Sequence, residues 1–154
     1  MRRDQGLTLV ELMVVIGIIA IICAIAIPNM IGWRQKRQLE AAVNEVQVAI
    51  GLSKSTAIKR SAPVSILFNN PVNGITVFVD NNGNGTIDSG DQVVRTFNLS
   101  DGVTLSTLPA LTFLRFDVRG FTSAVNITVQ KPQDSRRPLI EVTVAGSSRI
   151  NWGT

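Results

Sequence analysis

From Leu12 to Ile27 the chain carries no charged residue, and Leu7 to Val10 extends the run towards the roughly 20 residues a membrane-spanning helix needs. One carboxylate, Glu11, stands at its start. A charge inside hydrocarbon costs at least about 2.5 kcal/mol, so it normally has a partner and a role. Three readings compete for the segment. A cleavable secretory signal has a shorter apolar core followed by a small-residue cleavage site; this run is longer, and Pro28 follows it. A plain anchor explains the length but leaves Glu11 marking the membrane edge, facing headgroups.

The third reading starts from the first eleven residues, MRRDQGLTLVE. A short basic leader ends in Gly6, hydrophobic Leu7 follows, and Glu11 precedes the unbroken apolar stretch. This pattern resembles the N-terminus of type IV prepilins. The resemblance implies that a membrane-embedded prepilin peptidase cuts between Gly6 and Leu7 and methylates the new amino terminus at Leu7. Leu7 departs from the Phe or Met most frequent there, whereas Pro28 falls where many pilins carry a helix-kinking proline. Cleavage would place an ammonium group at Leu7, four residues from Glu11 and on the same helix face. Between packed subunits, Glu11 would instead neutralise a neighbour's amino terminus and set axial register. In a low-dielectric core either pairing is far more favourable than two separate charges.

Orientation is not decided by charge. Arg2 and Arg3 flank one side, and Arg34, Lys36 and Arg37 flank the other beside Trp33. The positive-inside rule therefore does not select the amino terminus as cytoplasmic; the resemblance does.

Beyond Pro28 the pattern stays helical. Leu39, Val43, Val46, Ile50 and Ala57 recur at steps of three, four and seven, an amphipathic stripe that predicts packing on the domain that follows. Pro63 forces an end. From Val64 the period changes to two: VSILF, ITVFV, QVVRTF, VTLS, LTFLRF, VNITVQ and LIEVTV are strand candidates between turn residues, with RINW as a further one. Such short connections imply antiparallel pairing. The expected fold class is α+β, a long N-terminal helical spine packed on an antiparallel β domain. The expected layout is a leader at 1–6, a spanning and filament-core helix at 7–28, an amphipathic continuation at 29–62 and a β domain at 63–154.

Within pilin-like proteins, FDVRG at Phe116 to Gly120, the VFVDNNGNG loop and a late G-x-x-R-I resemble the GspH/FimT class of minor pilins and pseudopilins. That resemblance implies a single-pass inner-membrane subunit whose C-terminal domain is periplasmic or part of an extracellular filament. Its implied partners are the prepilin peptidase and other pilin or pseudopilin subunits. A type IV pilus and a type II secretion pseudopilus both use this design.

The loop DNNGNGTIDSGD follows calcium-loop spacing: Asp80, Asn82, Asn84, Thr86, Asp88 and Asp91 stand at positions one, three, five, seven, nine and twelve, with Gly85 at six. Ile87, at eight, would pin the loop to the core. Asp91 replaces the usual Glu and reaches less far. The competing reading is an ion-free hairpin, because Asn84-Gly85 is a strong turn dipeptide. Calcium is thus the one cofactor expectation, and its role in either case is structural.

Composition removes most enzymatic chemistry. The chain has no His, the commonest general base and metal ligand, and one Cys, Cys23, inside the apolar run. Catalysis would fall to carboxylates such as Asp117 or Glu141, and no spacing singles out a pair. DNA uptake by a DNA-binding minor pilin is the alternative function. Lys131, Arg136, Arg137 and Arg149 make the C-terminal region basic. DNA-binding members resemble one another in a Gly-Arg-x-Arg element, where this chain reads Gly146-Ser147-Ser148-Arg149, so DNA is the less favoured partner.

Overall fold

The computed structural model describes residues 9–69, 74–132 and 134–153, with the side chains of 28 and 29 set aside. The Gly6–Leu7 cleavage position and the leader lie outside the described residues. One α-helix, α1, runs Leu9–Arg60, and eight strands follow: β1 Val64–Asn69, β2 Gly74–Val79, β3 Gln92–Asn98, β4 Thr104–Leu108, β5 Phe113–Phe116, β6 Val125–Gln130, β7 Leu139–Val142 and β8 Ser148–Asn151. Every strand candidate of the sequence, RINW included, lies on one of them.

The end of α1 has a local cause. Lys59 and Arg60 occupy its last turn, where cations complement the helix dipole. Ser61 then adopts φ +49°, while its N–H and that of Ala62 are bonded to the carbonyls of Ile58 and Ala57. That is a Schellman stop with serine in the usual glycine position. Pro63 follows and cannot continue the helix.

The chain divides into two compact units, Met1–Lys36 and Arg37–Thr154. In the second unit the strands form two four-stranded antiparallel sheets, ordered β3-β2-β1-β5 and β4-β6-β7-β8. The helical stripe behaves as its periodicity requires: Leu39, Val43, Val46, Ile50 and Ala57 are all buried, together with Ala42 and Ala49. They share one core with Val64, Ile66, Ile75 and Val77 from the first sheet and Val125, Ile127, Val129 and Ile140 from the second. Alternation in β6 and β7 is strict, with one face inward and one towards solvent. β2 breaks that rule, being buried throughout, because the outer face of its sheet is also covered.

The cover is the Asp80–Asp91 loop. Ser65 pairs with Phe78 and with Arg115, so these three side chains share the sheet face opposite the core. Gly83 packs under the Arg115 guanidinium and Gly85 under the Phe113 ring, so closely that a Cβ at either position would collide. Both glycines also have φ above +70°, where a β-carbon is unfavourable. Phe78, fully buried, lies on that covered side.

Candidate functional site

Within the first unit, every residue from Leu9 to Ile27 is exposed. Among the described residues this is the one helix long and apolar enough to cross a membrane. A water-soluble helix has a polar face, whereas this one is apolar all round, as a segment solvated by lipid or by other apolar helices is. Glu11 lies on α1, two residues after its first described residue. Pro28 lies within α1, whose span continues through it.

In the second unit, four side-chain ties fasten α1 to the β domain beyond its apolar stripe. Near the start of the unit, the ammonium of Lys131 donates to the Gln38 side-chain oxygen and, at 3.3 Å, to the Asp101 carbonyl. Two residues on, at Glu40, Arg136 pairs with the helix at 3.3 Å and with Asp134 at 2.9 Å. Near the helix end, Lys54 donates to the Ala145 carbonyl at 2.7 Å, and Arg60 donates to Gln92. These ties were not legible in the sequence, since their partners lie 32 to 96 residues away.

The consequence for the basic set is direct. Lys131 is buried and Arg136 is committed to two carboxylates, with its guanidinium 5.8 Å from the Trp152 ring centre. Only Arg137 and Arg149 of the four are exposed, and Arg149 stands directly across from Glu141 in the β7–β8 ladder. Two of the four cations therefore hold the fold together and are not presented to a polyanion.

The loop residues that match calcium spacing are gathered, but through their own hydrogen bonds. Asp80 is fully buried; its carboxylate accepts from Ser65 Oγ at 2.6 Å, Gly83 N–H at 2.7 Å and Gly85 N–H at 3.1 Å. The amides of Asn82 and Asn84 donate to Asp88 at 2.9 and 2.7 Å, and hold its carboxyl below the usual range. Asp91 accepts from the N–H groups of Asn81 and Asp88. The Asn84 oxygen accepts from the N–H of Thr86, whose side chain is exposed. Ile87 does not pin the loop to the core as its position suggests: it is 43% exposed, and the glycine contacts do the pinning. Among the described residues, no three His, Cys, Asp or Glu side chains are grouped to hold a metal.

Asp117, one of the carboxylates considered for catalysis, has a structural duty. Asp117 accepts from the N–H groups of Phe121 and Arg119 and from the Arg119 guanidinium, and those bonds lower its pKa, the Phe121 N–H first. It thereby closes the turn ending at Gly120, which packs on Lys54 and Ile58 of α1. Glu45 is different. Its Oε2 is buried with no hydrogen-bond partner, and burial pushes its pKa up, opposed by the Arg95 guanidinium.

A long apolar helix that continues into a two-sheet antiparallel domain is the design of pilin-like proteins. The fold is similar to that of the type IV minor pilin FimU of Pseudomonas aeruginosa, with TM-score 0.62 and 15% identity over 77% of this chain and 92% of that one. It is also similar to the minor pseudopilin EpsH of the Vibrio cholerae type 2 secretion system, with TM-score 0.58 and 12% identity over 75% and 97% of the two chains. The profile of the type II transport protein GspH matches residues 42–146, and that of the prokaryotic N-terminal methylation motif matches residues 1–27. The chain belongs to the GspH family. Among named relatives, the pilin-like protein PilA1 of Thermus thermophilus is 30% identical over 57% of this chain and 56% of its own length. The type II secretion system core protein G of Dickeya chrysanthemi is 38% identical over 29% of each chain. The chain thus spans about half or less of the length of these relatives.

Proposed function

We propose that the protein is a minor pilin or pseudopilin subunit that enters a type IV pilus or a type II secretion pseudopilus through α1. The methylation motif implies processing by a prepilin peptidase; in this chain the cut would fall between Gly6 and Leu7, with Leu7 N-methylated. Before assembly the apolar helix would hold the subunit in the inner membrane, its β domain on the far side. The observation that carries the reading is the junction of two parts. An all-round apolar helix leads into a domain of the GspH family whose buried core lies wholly between Leu39 and Val142. Such a domain is stable in water while its helix is stable only in lipid or among other apolar helices.

Glu11 would then supply register. In a packed core it pairs with the methylated amine of Leu7, its own or a neighbour's, because an uncompensated charge there costs several kcal/mol (about 3–5). The test is the N-terminus of the native polypeptide by mass spectrometry, together with a Glu11→Ala strain. The mature chain should begin at methylated Leu7, and Glu11→Ala should be processed normally but be absent from filaments. Retention of Met1, or normal filaments from Glu11→Ala, would overturn the reading.

A further inference from the structure

We propose that Trp33, Arg34 and Lys36 form a binding belt for anionic phospholipid headgroups at the outer end of the spanning helix, so that leaving the membrane requires stripping those lipids. The inference rests on the membrane-spanning reading and adds to it a ligand class. Three observations carry it. The first is spacing. At a rise of about 1.5 Å per residue, Trp33 lies about 33 Å along the helix from Glu11, against a hydrocarbon core about 30 Å thick. With Glu11 at one boundary, Trp33 reaches the other.

The second is exposure and direction. Met30, Ile31 and Trp33 are 65, 55 and 60% exposed, and Arg34 and Lys36 are exposed as well. At about 100° per residue, Trp33, Arg34 and Lys36 fall within about 160° of one helix face, with Trp33 between the two cations. An indole at headgroup depth flanked by cations is suited to contact phosphates while its ring sits in the interface.

The third is charge. No acidic residue occurs between Leu12 and Leu39, so residues 34–37 contribute only cations. The next carboxylate, Glu40, is turned to Arg136 at 3.3 Å. A cation near an anionic surface strengthens association roughly five-fold, and the gain is screened by salt. The ligand is therefore a phosphodiester headgroup in a lipid surface, with phosphatidylglycerol as the probe.

The test uses the full chain in vesicles of phosphatidylcholine with and without phosphatidylglycerol. Spin-labelled forms of each lipid report which is held at the protein surface. The fluorescence difference between the native chain and Trp33→Phe, read with lipids brominated at known depths, locates Trp33. The expected result is Trp33 at headgroup depth and a preference for phosphatidylglycerol of about 25-fold, about five-fold from each of Arg34 and Lys36. That preference should weaken with salt and fall roughly five-fold for each of Arg34→Gln and Lys36→Gln. Equal retention of the two lipids, with Trp33 still quenched at the interface, would overturn the belt and leave the spanning helix intact. A preference that survives Arg34→Gln with Lys36→Gln but disappears with Arg2→Gln and Arg3→Gln would overturn it too. Trp33 unquenched by any lipid would remove the spanning reading and the belt together.

Discussion

Ser65, on β1, donates its hydroxyl to the Asp80 carboxylate at 2.6 Å, and both residues are fully buried. This one contact joins the first strand of the domain to the loop that covers its outer sheet face. Asp80 also accepts the N–H groups of Gly83 and Gly85, so removing its carboxylate would leave two buried donors and one half-buried donor unsatisfied. Asp80→Ala is expected to cost about 2–4 kcal/mol. Urea unfolding of the soluble fragment 33–154 checks it. Ser65→Ala should cost less, because the carboxylate keeps two donors.

Glu45 should make the domain more stable as the pH falls from neutral. Its folded-state pKa is raised by burial, so the folded form binds a proton before the unfolded form does. The penalty of the buried charge is fully present above the raised value and is relieved as pH falls through it towards the ordinary 4.5. Glu45→Gln is expected to stabilise the fragment by at most about 1 kcal/mol at pH 7 and to abolish this gain. Melting temperatures at pH 7 and pH 5 measure it, and an unchanged slope in the variant would rule Glu45 out as the source.

In stronger acid the sign reverses. Asp88 and Asp117 are held below the usual carboxylate range by the hydrogen bonds they accept. Their contribution is complete above the ordinary value of 3.8 and disappears as pH falls through the lowered folded values. Asp117→Asn should therefore flatten the acid limb of the stability curve below that pH, as read by circular dichroism.

Calcium uptake by the Asp80–Asp91 loop is proposed to be weak. A cation would compete with the Asn82 and Asn84 amides, both held by Asp88 Oδ2, and with the three donors that Asp80 already accepts. Half-saturation is expected at about 10⁻⁴–10⁻³ M, the range of extracellular modules, with a small rise in melting temperature that Asp88→Asn removes. Calorimetric titration decides the matter; no heat at millimolar calcium would exclude the ion.

Duplex DNA should bind the fragment feebly. With Lys131 and Arg136 held internally, the C-terminal basic set is left with Arg137 and Arg149, about two phosphate contacts, hence a share of about −2 in the slope of log K against log salt. Arg137→Gln with Arg149→Gln should remove no more than that share, and a much larger loss of slope would restore the DNA-capturing alternative.

Several features of this protein were settled by residues close together in sequence. The apolar run, the stripe Leu39-Val43-Val46-Ile50-Ala57 and the alternation in each strand depend on side-chain periods of 3.6 and two, which any local stretch displays. The long apolar helix, the helix-on-sheet core and all eight strands were therefore legible before any contact was known. Tertiary structure decided what polar side chains do. Lys131, Arg136, Asp80 and Glu45 look alike as charges in a sequence, yet one ties α1 to a loop, one joins two carboxylates, one gathers a buried turn and one has a buried oxygen with no hydrogen bond. A charge takes its role from the partner it reaches and the water it loses, and both are set by chain segments distant in sequence.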